Sequence, residues 1–281
     1  TRGTCLGYDL FTLAAGATPS NGPRTLVTSS SDTSFTYSYA NTNALVGWHW
    51  GAVSNQLTIT ADTGGTVAPA GTFLASDEAP VLVTATPEEG KAFLKWTGDI
   101  PATLQYDNPL RLPATAPRTI QALFAPAVYA APSATGDGTG SSWDNAATLA
   151  NAVAAAANGE VVVVSNGTHQ LASRLTIEKG IMLRGLTGDW ADVIIKGKKD
   201  DTVVRVTSDD AVLTALTIRD GCSKDHWDNN GNAGILWNSG GATIANCRLT
   251  GNTQSSWNRY GAVRNDGGKL YRCVIDGNAS Y

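Results

Sequence analysis

The chain has 281 residues, enough for two or three domains and a sizeable core, with 42% hydrophobic residues, 16% charged residues and a formal net charge of −4. That balance describes an ordered globular protein. With no basic run and no aromatic-basic motif, it excludes a nucleic-acid partner.

No membrane span is expected in this segment, because the longest strongly apolar run, Ala152 to Ala157, is far shorter than the roughly 18 residues a bilayer crossing needs. Thr1 to Cys5 lacks the charged start and apolar core of a secretory leader, so the chain is expected to begin after processing or inside a larger protein. The 4 cysteines are few for a disulfide scaffold. Cys5 and Cys222 are left open as a cross-domain pair in an exported protein. The 3 histidines are scattered and no Cys-x-x-Cys occurs, which argues against zinc.

Residues 1–126 are rich in Thr, Ser, Ala and Pro, with alternating runs separated by turns. Phe35, Tyr37 and Tyr39 alternate in residues 1–56, as do Val81 and Val83 in residues 57–126, and each region leads to a tryptophan, Trp48 or Trp96. The second region reads as strands at Gly64–Val67, Val81–Pro87, Gly90–Gly98, Asn108–Leu110 and Thr119–Phe124. This order resembles the internalin-type bacterial repeat, a small β-grasp-like module used as a stalk or spacer in surface proteins. Residues 1–56 resemble the back half of another copy, Trp48 matching Trp96 and Asn55 to Leu57 matching Asn108 to Leu110. Both tryptophans are expected as core anchors; exposed sugar-stacking indoles are the alternative.

Residues 127–143 read as a linker and entry segment, because Pro126, Pro132 and the glycines of Gly136 to Gly140 break regular structure. The run is no phosphate loop, since no Gly-Lys-Ser/Thr follows. A helix is expected over Asp144–Gly159, with Asp144 or Asn145 as its cap, an apolar face of Leu149, Val153 and Ala156 or Ala157, and Asn158-Gly159 as its stop. It would cover the end of the core that follows. Asn166 and Asn278 begin Asn-x-Ser/Thr sequons, which carry little meaning in a bacterial chain.

From Val161 onward a phrase recurs. Gly234 to Asn238 with Gly240 to Asn252 is repeated by Gly261 to Asn265 with Gly267 to Asn278, and an earlier copy runs from Thr202 to Gly221. The copies align Leu216, Cys247 and Cys273 in one column and Ile218, Leu249 and Ile275 in another, the apolar positions alternating with period two. The repeat lengths, 31 residues from Ile218 to Leu249 and 26 from Leu249 to Ile275, suit coils of about three short strands. Copies that cannot bury their own apolar faces must stack. Gly251-Asn252 and Gly277-Asn278 are expected to end matching strands, with the asparagine amides stacked. Cys247 and Cys273 are expected as a ladder of small buried thiols, or as a bridge.

The repeated phrase resembles the right-handed parallel β-helix of the pectate-lyase-like superfamily, in its bacterial surface and secreted branch. The expected fold class is therefore all-β: a right-handed parallel β-helix over residues 144–281 with an N-terminal capping α-helix, preceded by one or two small β-repeat modules. The resemblance implies a fold and leaves function open, since such scaffolds carry lyases, hydrolases, adhesins and tailspikes. A lyase of this kind needs calcium-holding carboxylates beside a base, and a hydrolase needs paired acids. The outward columns Thr217/Arg248/Val274 and Arg219/Thr250/Asp276 offer neither, so no catalytic residue is assigned.

The candidate ligand platform lies on two inserted loops and the strand after them. It comprises Asp225, His226, Trp227 and Asp228, then Trp257, Arg259 and Tyr260, and an outward column in which Arg205 and Arg264 flank Trp237. The alternative is that these side chains only pack on one another. Asp228 to Asn232 has calcium-loop spacing without the closing Glu, so no metal site is assigned and calcium is the only cofactor left open. The sequence favours a non-catalytic, exported bacterial surface or extracellular protein with structural or adhesive roles. A polysaccharide lyase or glycoside hydrolase is the enzymatic alternative. The expected partners are a polysaccharide, a host or neighbouring cell surface, or a second copy meeting the open final coil end to end, through backbone groups left unpaired.

Overall fold

A computed structural model describes residues 3–13, 24–32, 34, 44–199, 201–223, 235–251, 253–254 and 261–280. Among them the chain is all-β with one short helix, and no helix is long and apolar enough to cross a membrane. It divides into two compact units, residues 1–57, 72–81 and 112–118 in one, and residues 58–71, 82–111 and 119–281 in the other.

The first unit holds an antiparallel sheet in which Gly3–Leu13 lies between Arg24–Ser30 and Ala44–Ala52. Tyr8 and Leu10 are buried. Trp48, expected in a core, is 39% exposed. It sits opposite Tyr8 in the ladder, and the two rings meet edge to face with centroids 5.7 Å apart. The alternation Phe35, Tyr37, Tyr39 lies outside the described residues.

In the second unit Ile59, Val83, Ala85, Phe93, Trp96, Ile120 and Ala122 are all buried, Val83 and Ala85 coming from the strand Val81–Pro87, which begins in the first unit, and Phe93 and Trp96 from Lys91–Gly98. Trp96 is the expected anchor: it is 1% exposed, its Nε1 donates to the Asp107 carbonyl at 2.7 Å, and Phe93 packs on it with centroids 5.4 Å apart. The Asn108 side chain bonds both backbone groups of Ala85, holding the Leu104–Leu110 segment against this core.

The strand Arg118–Ala131 continues through Pro126, where the sequence suggests a linker. Its first half pairs antiparallel with Lys91–Gly98, from Ile120 opposite Gly98 to Pro126 opposite Lys91. Its second half pairs parallel with Val161–Val164, from Ala127 opposite Val161 to Ala130 opposite Val164. Pro126 sits where the strand changes partners, a place that tolerates the missing N–H. The predicted break is thus a junction between two ladders within one strand.

After Val161 the chain visits three parallel sheets in a fixed rotation. One collects Val161–Val164, Met182–Gly185, Val212–Thr214, Thr243–Ala245 and Lys269–Tyr271. The next collects Gly167–Gln170, Val193–Lys196, Thr217–Arg219, Arg248–Thr250 and Val274–Asp276. The third collects Leu175–Ile177, Val204–Val206, Leu236–Asn238 and Val263–Asn265. Short strands at Cys222–Ser223, Thr253–Gln254 and Ala279–Ser280 form a fourth ladder where the inserted loops begin. The expected columns are present: Ile218, Leu249 and Ile275 are in register, and Val274 donates its N–H to the Cys247 carbonyl. Inward side chains such as Val162, Leu183, Leu213 and Ile244 join one buried core. All four cysteines are free thiols.

The expected helix needs correction in its extent and in its cap. The helix is only Leu149–Ala155, with Thr148 at its N-cap and no side-chain cap bond. Ala147 and Thr148 are drawn into pairing with Ala130 and Ala131, and the Asn145 side chain bonds the turn at Asp137, so neither Asp144 nor Asn145 caps the helix. Leu149, Ala152, Val153 and Ala156 do enter the core. An asparagine ladder is present on the third sheet, where buried Asn238 donates to Asn265 Oδ1 at 2.8 Å and to the Ala242 carbonyl at 3.0 Å. Gly251 and Gly277 take the left-handed turns, with φ of 70° and 60°, while Asn252 lies outside the described residues.

The first sheet is buried on both faces. Outward-facing Val161, Val163, Met182 and Ala245 form a second core with Ala92, Tyr106 and Ala125, and Leu94 and Tyr271 pack against it. The segment around Trp96 therefore docks on the outside of the parallel stack. Burial of Val161, Val163 and Met182 there contributes about 1.5–3 kcal/mol each.

Candidate functional site

The column Arg205, Trp237, Arg264 is assembled by backbone register, Arg205 pairing with Trp237 and Trp237 with Arg264. The Arg205 guanidinium lies 4.1 Å from the indole centroid and that of Arg264 4.9 Å. Trp237 is 7% exposed and donates Nε1–H to Asp266 at 3.1 Å. Asp266 also accepts from Arg264, and that bond first, then the indole N–H, holds its carboxyl below the usual range. Since the guanidiniums come from the strands on either side, they occupy the two faces on which a sugar would stack. Asp225, His226, Trp227, Asp228, Trp257, Arg259 and Tyr260 lie outside the described residues, as does the Asp228–Asn232 run.

On the second sheet the outward columns bring Arg248 to Asp276, two parallel hydrogen bonds of 3.0 and 2.8 Å. The guanidinium also lies 5.3 Å from the Trp190 ring centroid. Trp190 is tethered through its carbonyl, which accepts from Thr217 Oγ1 at 2.7 Å.

Beside Trp190 opens a cleft of about 630 Å³, lined by residues from 104–111, by 187–190, and by Asn246 and Arg272. None of its lining residues is among the ligand candidates that the sequence offers. Asp107 organises it: one carboxylate oxygen accepts from Asn246 Nδ2 at 2.8 Å, and the other pairs with Arg272. Asn246 and Arg272 hold equivalent turn positions in successive repeats, both with φ of 52°. A side chain leaves a left-handed turn in a direction ordinary strand residues do not reach.

Beneath lies Arg184, 6% exposed, which donates to the Tyr106 carbonyl at 2.9 Å and lies 5.1 Å from the Phe93 ring centroid. Burial lowers its pKa to about 10, with Asp107 opposing that shift, so it stays charged at neutral pH. The Thr187–Trp190 loop approaches so closely that a Cβ on Gly188 would sit 2.8 Å from the Asn108 carbonyl oxygen, at a φ of 80°. The signal available in the sequence was Arg184 itself, a charge following Ile181, Met182 and Leu183, where a solvated outer face would not need both neighbours apolar.

Neither a curated protein nor a solved structure matches this chain. Residues 55–128 match the family model of the divergent InlB B-repeat domain, from Asn55, which the sequence reading gave to the preceding module, into the shared strand Arg118–Ala131.

Proposed function

We propose that the chain is an exported bacterial surface or extracellular protein with a non-catalytic, structural or adhesive role, in which a B-repeat module is fixed to a right-handed parallel β-helix of the pectate-lyase-like kind. The fixed rotation among three parallel sheets supports the β-helix reading. The observation that carries the functional reading is the strand Arg118–Ala131, which begins inside the B-repeat match and ends in the parallel stack. A spacer on a flexible tether needs no such sharing, whereas a rigid display body does. The Arg248–Asp276 pairing between two outward columns supports a stabilising role for these charges, since hydrolysis on such a face calls for neighbouring acids.

Antibodies raised against residues 55–281 test the location on intact cells of the producing bacterium. Labelling without permeabilisation, removed by external protease, is the expected result. Labelling that appears only after lysis contradicts it.

A further inference from the structure

We propose that the cleft beside Trp190 binds a neutral oligosaccharide. Its volume, about 630 Å³, falls in the range of roughly 300–1,000 Å³ typical of small-molecule sites. Its polar lining alternates in kind: Asp107 and Asp189 accept, Arg111 and Arg272 donate, and the Asn246 amide carries both functions. A sugar hydroxyl donates one hydrogen bond and accepts others, so a vicinal diol is satisfied by a carboxylate and a guanidinium set side by side. Trp190 supplies an apolar surface for the C–H face of a pyranose, and Arg248 stacked on the indole fixes its plane.

The charges decide the ligand class. Two aspartates and two arginines line the cleft, so the side chains that would touch a ligand balance in charge, and the buried Arg184 beneath them faces Asp107 and the Tyr106 carbonyl. Asp107 and Arg272 already neutralise each other directly. The lining is also preorganised: Asp107 is held by two partners, Asn108 is tied to Ala85, and Gly188 lets the opposing loop close on Asn108. Tyr106, whose carbonyl takes the buried Arg184, anchors the same wall.

This inference names a ligand class the surface reading does not require, and it is tested on purified protein. Isothermal titration with hexasaccharides of neutral glucan, mannan, galactan and xylan, and of uronic acids, should show a neutral ligand binding at about 1 mM or tighter. Trp190→Ala and Arg111→Ala should each weaken it about tenfold, with unchanged circular dichroism. Arg111 is exposed, so its variant decides the matter if Trp190→Ala misfolds. Binding of uronates alone, no binding of any neutral ligand, or an Arg111→Ala variant that binds like the parent would overturn the proposal. The location of the protein in the cell has no bearing on these outcomes.

Discussion

Val163 faces outward from the first strand of the parallel stack, where a strand pattern alone would place it in water, yet it is 7% exposed because Ala92, Tyr106 and Ala125 lie over that face. Val163→Asp removes aliphatic burial of about 1.5–3 kcal/mol. It also buries a carboxyl with Arg184, its partner in the ladder, as a nearby charge, at a further cost of roughly 2 kcal/mol. The expected destabilisation is about 4 kcal/mol, read as a fall in Tm of roughly 10 °C for a chain of this size. Thr168, exposed on the next strand, is the comparison: Thr168→Asp should change stability by no more than about 0.5 kcal/mol. Urea titrations followed by circular dichroism and tryptophan fluorescence measure both. If Val163→Asp costs no more than Thr168→Asp, the outer face is not covered and the docking described here is wrong.

Three further outcomes follow from buried groups. His169 is 2% exposed, its Nε2 bonded to the Ser165 carbonyl, and burial lowers its pKa below the ordinary value. The unfolded chain therefore takes up a proton near pH 6.5 while the folded one resists it. Stability is complete above that pH and falls below it, so urea midpoints at about pH 5 and pH 8 should differ less in His169→Gln than in the parent. Trp237→Ala should cost about 3–5 kcal/mol. Trp237→Phe, which keeps a ring between the guanidiniums and loses the bond to Asp266, should cost about 1–2 kcal/mol, and equal melting curves for the two variants would refute that ordering. Cys247 is fully buried and burial pushes its thiol pKa up, with Cys273 beside it adding to the shift, so iodoacetamide should label it only after unfolding. Mass spectrometry showing Cys247 labelled in the native protein as fast as half-buried Cys5 would contradict its placement.

The parts of the fold that repeat were legible in the sequence, because each column is sampled several times. Ile218, Leu249 and Ile275 announce one inward position three times over, and Arg205, Trp237 and Arg264 one outward position. Features that occur once were read from local rules, and tertiary contacts overrode them. Pro126 looks like a break, but a proline costs a strand nothing where the ladder changes partner. Asn145 looks like a helix cap, but its side chain is used by the turn at Asp137. Asn238 and Asn265 sit at strand ends where their amides meet, a ladder that no turn motif announces. The cleft was invisible for a further reason: Asp107 and Arg272 are 165 residues apart, and no local pattern records that they meet.

One continuous strand, Arg118–Ala131, joins the segment that matches the B-repeat to the parallel stack. Native-state hydrogen exchange at the amides of Ala127, Val128, Tyr129 and Ala130 tests it most directly. The structure predicts protection equal to that of Val161–Val164, lost only with global unfolding. Exchange of those amides at the rate of an open linker, while Val161–Val164 stay protected, would contradict it.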